Sequence, residues 1–253
     1  MGLREVYGPF CGSRDGVLAF RRMSRPPDPC FVVRAEAQAH LLELAGKLKF
    51  FTRRQAVRVL GPCAGKHLRV LHGAGYLDVL ETGRTPPVYM PGPGVLEVLG
   101  VEARGCRMPH ILRTVAANQL YAVLGGAVEY EATGEDWPTA VLGAGERTYL
   151  VLAPRLWPEE DVWLDWAVSG LDPEARVIVV APSETGAMEA AQTCAARGVT
   201  ARYTWDAELK DGFALFRYTS LGFARDDEAA GYFGAALRSA GSAAGAAAAY
   251  TGL

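Results

Sequence analysis

The chain has 253 residues, half of them hydrophobic and about a fifth charged, which is enough apolar material for a sizeable core. No apolar run approaches the roughly 18 residues that a membrane-spanning helix needs. Five cysteines without a C-x-x-C pair argue against a disulfide framework and against a common zinc motif. Because Met1–Phe10 lacks the features of a secretory leader, we expect a cytoplasmic protein that does not contact a membrane.

The net charge of −2 conceals a large difference between the two halves of the chain. Residues 1–125 contain 17 basic and 9 acidic side chains, whereas residues 126–253 contain 9 basic and 19 acidic ones. A basic half suits a polyanionic partner. The difference in charge predicts that residues 1–125 bind DNA. The alternative is that the charge differs between the two halves for no functional reason.

Composition and periodicity divide the chain into five predicted segments. They are an irregular Arg/Pro-rich arm (1–34), a winged helix-turn-helix (35–92), linking helices (93–125), an acidic α/β domain (126–220) and an Ala/Gly-rich tail (221–253). The predicted fold class is therefore α+β, with the winged helix followed by a small α/β domain that contains a mixed sheet.

Three helices and a hairpin are predicted in the basic half. The first helix begins near Ala35 and has leucines at helical spacing. Thr52 and Gln55 match the capping box that starts a second helix, and a third is expected from Ala64 to Gly73. The residues at 76–80 and 88–90 alternate as strands of a hairpin, which completes the order of a winged helix.

A longer helix from Pro109 to Leu124 is expected either to join the two halves or to form a homodimer contact. After it, apolar runs and turn residues predict alternating strands and helices. The strands are placed at 128–132, 140–142, 147–153, 176–181, 200–205 and 213–218, and the helices at 159–168 and 185–197. From Asp226 onward, alanine and glycine predict a frayed helix or disorder.

The third predicted helix has the character of a DNA-recognition helix. Lys66 and Arg69 fall on one face, and Leu68 and Leu71 fall on the opposite face, which would pack on the first two helices. Basic residues of the second helix could reach phosphates, and Arg84 at the wing tip could reach an adjacent groove. The candidate DNA-binding residues are Arg53, Arg54, Arg58, Lys66, Arg69 and Arg84.

Motifs for catalysis, metal binding or cofactor binding are absent from the sequence. There is no H-x-x-x-H spacing, no nucleophile elbow and no glycine-rich phosphate loop. We therefore predict no cofactor, no metal site and no catalytic residue. The open alternative is a metal-dependent nuclease in the acidic half, in which Asp161 and Asp165 replace strand carboxylates.

The order of motifs resembles the plasmid replication-relaxation family of mobile elements. The likeness lies mainly in Leu41–Met90, which contains "FFTRRQAVRVL", "LHGAGYLDVL" and "PPVYMPGPG", and it continues into "MPHILRTVAANQLYAVL". The resemblance implies a protein that binds duplex DNA and is accessory to plasmid replication, relaxation or transfer. Its implied partners are duplex DNA, a second copy of the chain, and a replication or transfer protein.

The same resemblance implies that the second half has a restriction-endonuclease-type core. Such a core has a Pro-Asp before one strand and acidic residues inside the next. The corresponding stretches here are Trp137-Pro138-Thr139 and Tyr149–Ala153, and both lack carboxylates. The expected role of this half is therefore that of a scaffold. Two other roles for the winged helix stay open, a transcriptional regulator and a protein-interaction module.

Overall fold

The structure is a computed structural model that describes residues 21–81, 86–99, 107–125, 128–133, 137–155 and 160–233. Within these ranges the chain forms an α+β fold with a four-stranded and a seven-stranded sheet. The basic half contains β1 (Arg21–Met23), α1 (Glu36–Leu48), β2 (Phe51–Thr52), α2 (Arg53–Leu60), α3 (Ala64–Gly73), β3 (Leu77–Glu81), β4 (Val88–Pro91), α4 (Pro93–Leu99) and α5 (Met108–Leu124). The acidic half contains β5 (Glu129–Ala132), β6 (Ala140–Ala144), β7 (Arg147–Leu152), α6 (Glu160–Ser169), β8 (Val177–Ala181), α7 (Glu184–Ala196), β9 (Ala201–Trp205), α8 (Asp206–Asp211), β10 (Phe216–Thr219) and β11 (Gly222–Arg225).

Helices α1, α2 and α3 begin and end close to where the sequence predicts, because their signals are local. The leucines of α1 at positions 41, 44 and 48 are buried. At the start of α2, Thr52 Oγ1 accepts a hydrogen bond from the Gln55 amide at 3.3 Å. The Gln55 side chain accepts one from the Thr52 amide at 2.9 Å. This reciprocal pair confirms the predicted capping box.

The four-stranded sheet has the order β1-β3-β4-β2, with every neighbouring pair antiparallel. The predicted irregular arm is wrong for Arg21–Met23, because these residues form β1 at the edge of the sheet. Arg22 Nε donates to Oδ2 of the fully buried Asp78 at 2.7 Å, which supplies the partner that a buried carboxylate requires. Residues 1–20 of the arm lie outside the described residues.

Helix α5 lies between the two halves and joins them. It contacts α2 and β2 on one side and β5, β6, β7 and α8 on the other. Apart from Val123, every residue from His110 to Leu124 is buried, which removes the exposed face that a homodimer contact through α5 would need. No helix in the described ranges has the length and hydropathy to cross a membrane.

The seven-stranded sheet is mixed, as the sequence predicts, and has the order β11-β10-β9-β8-β7-β6-β5. Strands β5, β6 and β7 are antiparallel, whereas β7, β8 and β9 are parallel and are connected through α6 and α7. Parallel neighbours need such crossover connections. Val177 and Val179 of β8 pack with α6 and α7, while the alternate residues Ile178 and Val180 belong to the cluster that contains α5.

One hydrophobic cluster crosses the boundary predicted at residues 125 and 126. Its buried members extend from Leu41 of α1 through Leu120 of α5 and Val151 of β7 to Phe233. A separate cluster fills the space between the sheet and helices α6 and α7. Because apolar burial is the main favourable contribution to folding, the shared cluster couples the stability of the two halves.

The end of the described chain is more ordered than its composition predicts. The sequence analysis misses α8 and β11. The Asp226 carboxylate accepts from the Ala229 amide at 3.0 Å, and the fully buried Phe233 packs on Tyr149 at 5.3 Å between ring centroids. Residues 227–233 are helical and end in a buried side chain, so disorder is the wrong one of the two alternatives predicted from Asp226 onward. Residues 234–253 lie outside the described ranges.

Candidate nucleic-acid interface

The outward face of α3 is basic, as the helical spacing predicts. Lys66 and Arg69 are exposed, and Leu68 and Leu71 are fully buried in the cluster that contains α1. Within the part of the chain that the structure describes, neither the Lys66 nor the Arg69 side chain takes part in a hydrogen bond or an ion pair. Their charges are therefore available to an external anion.

Arg53, in the first turn of α2, lies across the first turn of α3. An ideal Cβ atom at Gly65 would be 2.6 Å from Arg53 Nε and 2.9 Å from Nη2, distances shorter than real Cβ contacts. The guanidinium can occupy this position only because residue 65 has no side chain. Gly65 therefore brings the cation of α2 onto the same helix that carries Lys66 and Arg69.

Tyr89 adds a phenol to this region, and the sequence analysis does not find it. It lies on β4 opposite Phe51 of β2, and the two rings stack at 5.9 Å between centroids. Burial raises the pKa of Tyr89, while the nearby charges of Arg53 and Arg69 act in the opposite direction. The raised pKa keeps the hydroxyl protonated, so it can donate a hydrogen bond. We call Arg53, Lys66, Arg69 and Tyr89 the α3 surface.

The remaining candidate cations have different surroundings. The side chain of Arg54, which follows Arg53 in α2, is exposed and forms no hydrogen bond or ion pair with the described residues. Arg58 points instead to the acidic half, where its Nη1 donates to the carbonyl oxygens of Lys210 at 2.9 Å and Leu209 at 3.3 Å. These bonds give Arg58 a structural role apart from the predicted phosphate contact. Arg84 lies outside the described residues.

Two carboxylates lie on the small sheet near the α3 surface. Asp78 is buried and bound to Arg22, so its charge is compensated within the sheet. Glu81 ends β3 opposite Arg21 of β1, and its charge acts on Tyr89 more weakly than the charges of Arg53 and Arg69. The balance of charge at this surface is therefore positive.

A metal centre has no support among the described residues, where no group of three or more His, Cys, Asp or Glu side chains is placed to hold a metal ion. Asp165 of α6, a candidate replacement ligand, accepts from Arg197 at 2.8 and 2.5 Å, and this pairing lowers its pKa. His72 Nδ1 lies 2.9 Å from the Leu77 carbonyl oxygen, a local contact within the α3–β3 turn.

The carboxyl ends of the parallel strands contain a buried ion pair. Arg155 follows β7 and donates to Asp206 after β9 at 2.8 Å, and it also donates to the Val180 carbonyl oxygen of β8 at 2.7 Å. Ligands of open α/β sheets commonly bind outside these strand ends. Here the two side chains tie three strands together, which gives this pair a structural function.

Comparison with protein-family models, with curated proteins and with solved structures found no match to the chain. The functional argument therefore depends on the geometry of the α3 surface.

Proposed function

We propose that the protein binds duplex DNA through the α3 surface, with residues 35–92 acting as a winged helix-turn-helix. The observation that carries the proposal is the exposed cationic pair Lys66 and Arg69, joined by Arg53 and uncompensated by carboxylates in the described chain. Phosphate contacts dominate the affinity of proteins for duplex DNA, and unpaired cations on one helix face provide them.

The arrangement of elements supports the same proposal. Three helices precede the antiparallel pair β3 and β4, and the buried face of α3 rests on the other two helices. A helix held in this way can enter the major groove, which is wide enough to admit it. The loop between β3 and β4 then serves as the wing, with Arg84 as its predicted contact.

In this proposal the acidic half is a scaffold without catalytic activity. The resemblance compares this half, in which β5, β6 and β7 are antiparallel and β8 is parallel to β7, with a restriction-endonuclease-type core. Thr139 precedes β6 where such a core has an aspartate, and the stretch Tyr149–Ala153 contains no acidic residue where it has them. The resemblance to plasmid replication-relaxation proteins suggests a role accessory to replication, relaxation or transfer of a mobile element.

The test is the salt dependence of duplex DNA binding by the full chain. If Lys66 and Arg69 each neutralise one phosphate, the double variant Lys66→Ala, Arg69→Ala lowers the slope of log K against log salt by about 1.8. The matched control is Lys210→Ala, Arg217→Ala, which removes two exposed cations from the acidic half.

We expect the control to retain the affinity and the slope of the unchanged protein. An unaltered slope in a folded Lys66→Ala, Arg69→Ala variant would contradict the assignment of α3. Failure of the full chain to bind duplex DNA at low salt would contradict the proposed function and favour a protein-interaction module.

A further inference from the structure

The guanidinium groups of Arg53 and Arg69 both lie near the Tyr89 phenol beside α3. Arg53 lies against Gly65, and Arg69 is one helical turn further along the same face of α3. Residues four apart on a helix are neighbours on its surface. Tyr89 reaches this place from the sheet, held by its stacking on Phe51.

The convergence of like charges needs a physical reason. Two cations held close together repel one another, and a carboxylate between them would normally relieve the repulsion. Within the described ranges no carboxylate pairs with Arg53 or Arg69. Two unpaired arginines near one hydroxyl donor suit an anion with several acceptor oxygens.

We infer that Arg53, Arg69 and Tyr89 bind one backbone phosphate of the DNA duplex, and that Gly65 is the positioning residue of this site. The inference deepens the proposed function and rests on it. Each arginine can donate two hydrogen bonds to phosphate in a fixed planar geometry, and the Tyr89 hydroxyl can donate one more. Lys66, which follows Gly65 on α3, contacts the duplex independently in this proposal.

The role assigned to Gly65 can be tested by adding a single methyl group. Gly65→Ala places Cβ where the Arg53 guanidinium now lies, and the flexible end of that side chain must move away. The backbone is helical, and alanine favours helix over glycine by about 1 kcal/mol, so the fold is retained. The matched control is Gly231→Ala, a helical position in the acidic half with no atom within 4 Å of an added Cβ.

The measurements are the affinity of the full chain for a duplex and the salt slope, with thermal unfolding as a check of the fold. We expect Gly65→Ala to weaken binding about tenfold and to lower the slope by about 0.9. Gly231→Ala retains both values. A Gly65→Ala variant that binds like Gly231→Ala overturns the inference.

A double-mutant cycle shows whether Gly65 acts through Arg53. In an Arg53→Ala background no guanidinium remains to be displaced, so adding Gly65→Ala should change the affinity no further. Independent, additive losses would mean that the methyl group meets the duplex directly, and they would overturn the positioning role.

Tyr89→Phe removes only the hydroxyl. A neutral donor releases no counterion, so this variant should lose about tenfold in affinity with an unchanged salt slope. If Tyr89→Phe binds the duplex with wild-type affinity, Tyr89 is not part of the phosphate site. These outcomes are distinct from failure of the proposed function, in which the Lys66→Ala, Arg69→Ala variant itself keeps its slope or the full chain does not bind.

Discussion

Arg58 on α2 donates a hydrogen bond to the backbone carbonyl oxygen of Lys210, in the last turn of α8, at 2.9 Å. The carbonyl groups at a helix C-terminus lack partners within the helix and carry a partial negative charge, which a cation stabilises. The contact links the basic half of the chain to the acidic half. Gln119 of α5 strengthens the link, because its Nε2 donates to the Leu209 carbonyl oxygen at 3.2 Å.

Arg58→Ala should therefore lower stability without changing the salt dependence of DNA binding. The loss of its carbonyl contacts is expected to cost about 1 kcal/mol in the free energy of unfolding. Arg54→Ala is the matched control on the same helix, and its exposed side chain predicts a change within about 0.5 kcal/mol. Denaturant unfolding measures the first quantity. A reduced salt slope in Arg58→Ala, with stability unchanged, would contradict the structural role and support the phosphate contact predicted from the sequence.

The surroundings of Lys66 can be predicted from the sequence, whereas those of Arg58 cannot. The exposure of Lys66 is predicted correctly because the leucines of α3 define a buried face locally, and the opposite face then follows from helical geometry. Arg58 is equally exposed on a helical wheel, but its partner is more than 150 residues away in sequence. No local pattern contains that contact.

Tyr89 and β1 show the same limit for the small sheet. Alternation predicts the strand that contains Tyr89, yet the approach of Arg53 depends on how α2 and α3 pack and on the missing side chain at Gly65. Strand β1 is fixed by Arg22 and the buried Asp78. Before the structure is known, Arg22 is one of several arginines in a proline-rich stretch that predicts irregular chain.

Asn118 of α5 is expected to be a major determinant of stability. Its Nδ2 donates to the Leu48 and Phe50 carbonyl oxygens at 2.9 and 2.5 Å, and its Oδ1 accepts from the Tyr130 hydroxyl at 2.6 Å. Asn118→Leu leaves three buried polar groups without this partner, so we expect a loss of about 3 kcal/mol or more in unfolding free energy.

Two variants control for this effect. Tyr130→Phe removes one of the three bonds and should cost about 1 kcal/mol. Gln192→Leu makes a comparable change at an exposed position of α7, where we expect a change within about 0.5 kcal/mol. Denaturant unfolding of the three variants gives the comparison. Equal stabilities of Asn118→Leu and Gln192→Leu would contradict a structural role for the network.

The shared hydrophobic cluster predicts that the two halves unfold together. All five tryptophans lie after residue 125, so their fluorescence reports on the acidic half, whereas far-ultraviolet circular dichroism reports on the helices of both. We expect the two signals to follow one denaturant transition. Two separated transitions would show that the halves are independent.

The same cluster predicts the behaviour of a fragment of residues 1–125. The difference in charge between the halves predicts that this fragment binds DNA. Truncation after residue 125, however, exposes the face of α5 that β5, β6 and β7 cover in the full chain. We expect the fragment to lose the cooperative transition of the full chain and to bind DNA more weakly. A fragment that folds cooperatively and matches the affinity of the full chain would contradict the shared core.

Finally, we expect the purified protein to leave supercoiled plasmid DNA intact in the presence of Mg²⁺ or Mn²⁺. Mg²⁺ takes oxygen ligands, and the stretch Tyr149–Ala153 contains no carboxylate. Asp165 is bound to Arg197 on the surface, which accounts for its charge without a metal. Agarose electrophoresis separates supercoiled, nicked and linear forms. The control variant Asp172→Ala, Glu174→Ala removes two exposed carboxylates after α6. Nicking that persists in this control but disappears in the double variant Asp161→Ala, Asp165→Ala would contradict the scaffold role and identify a nuclease.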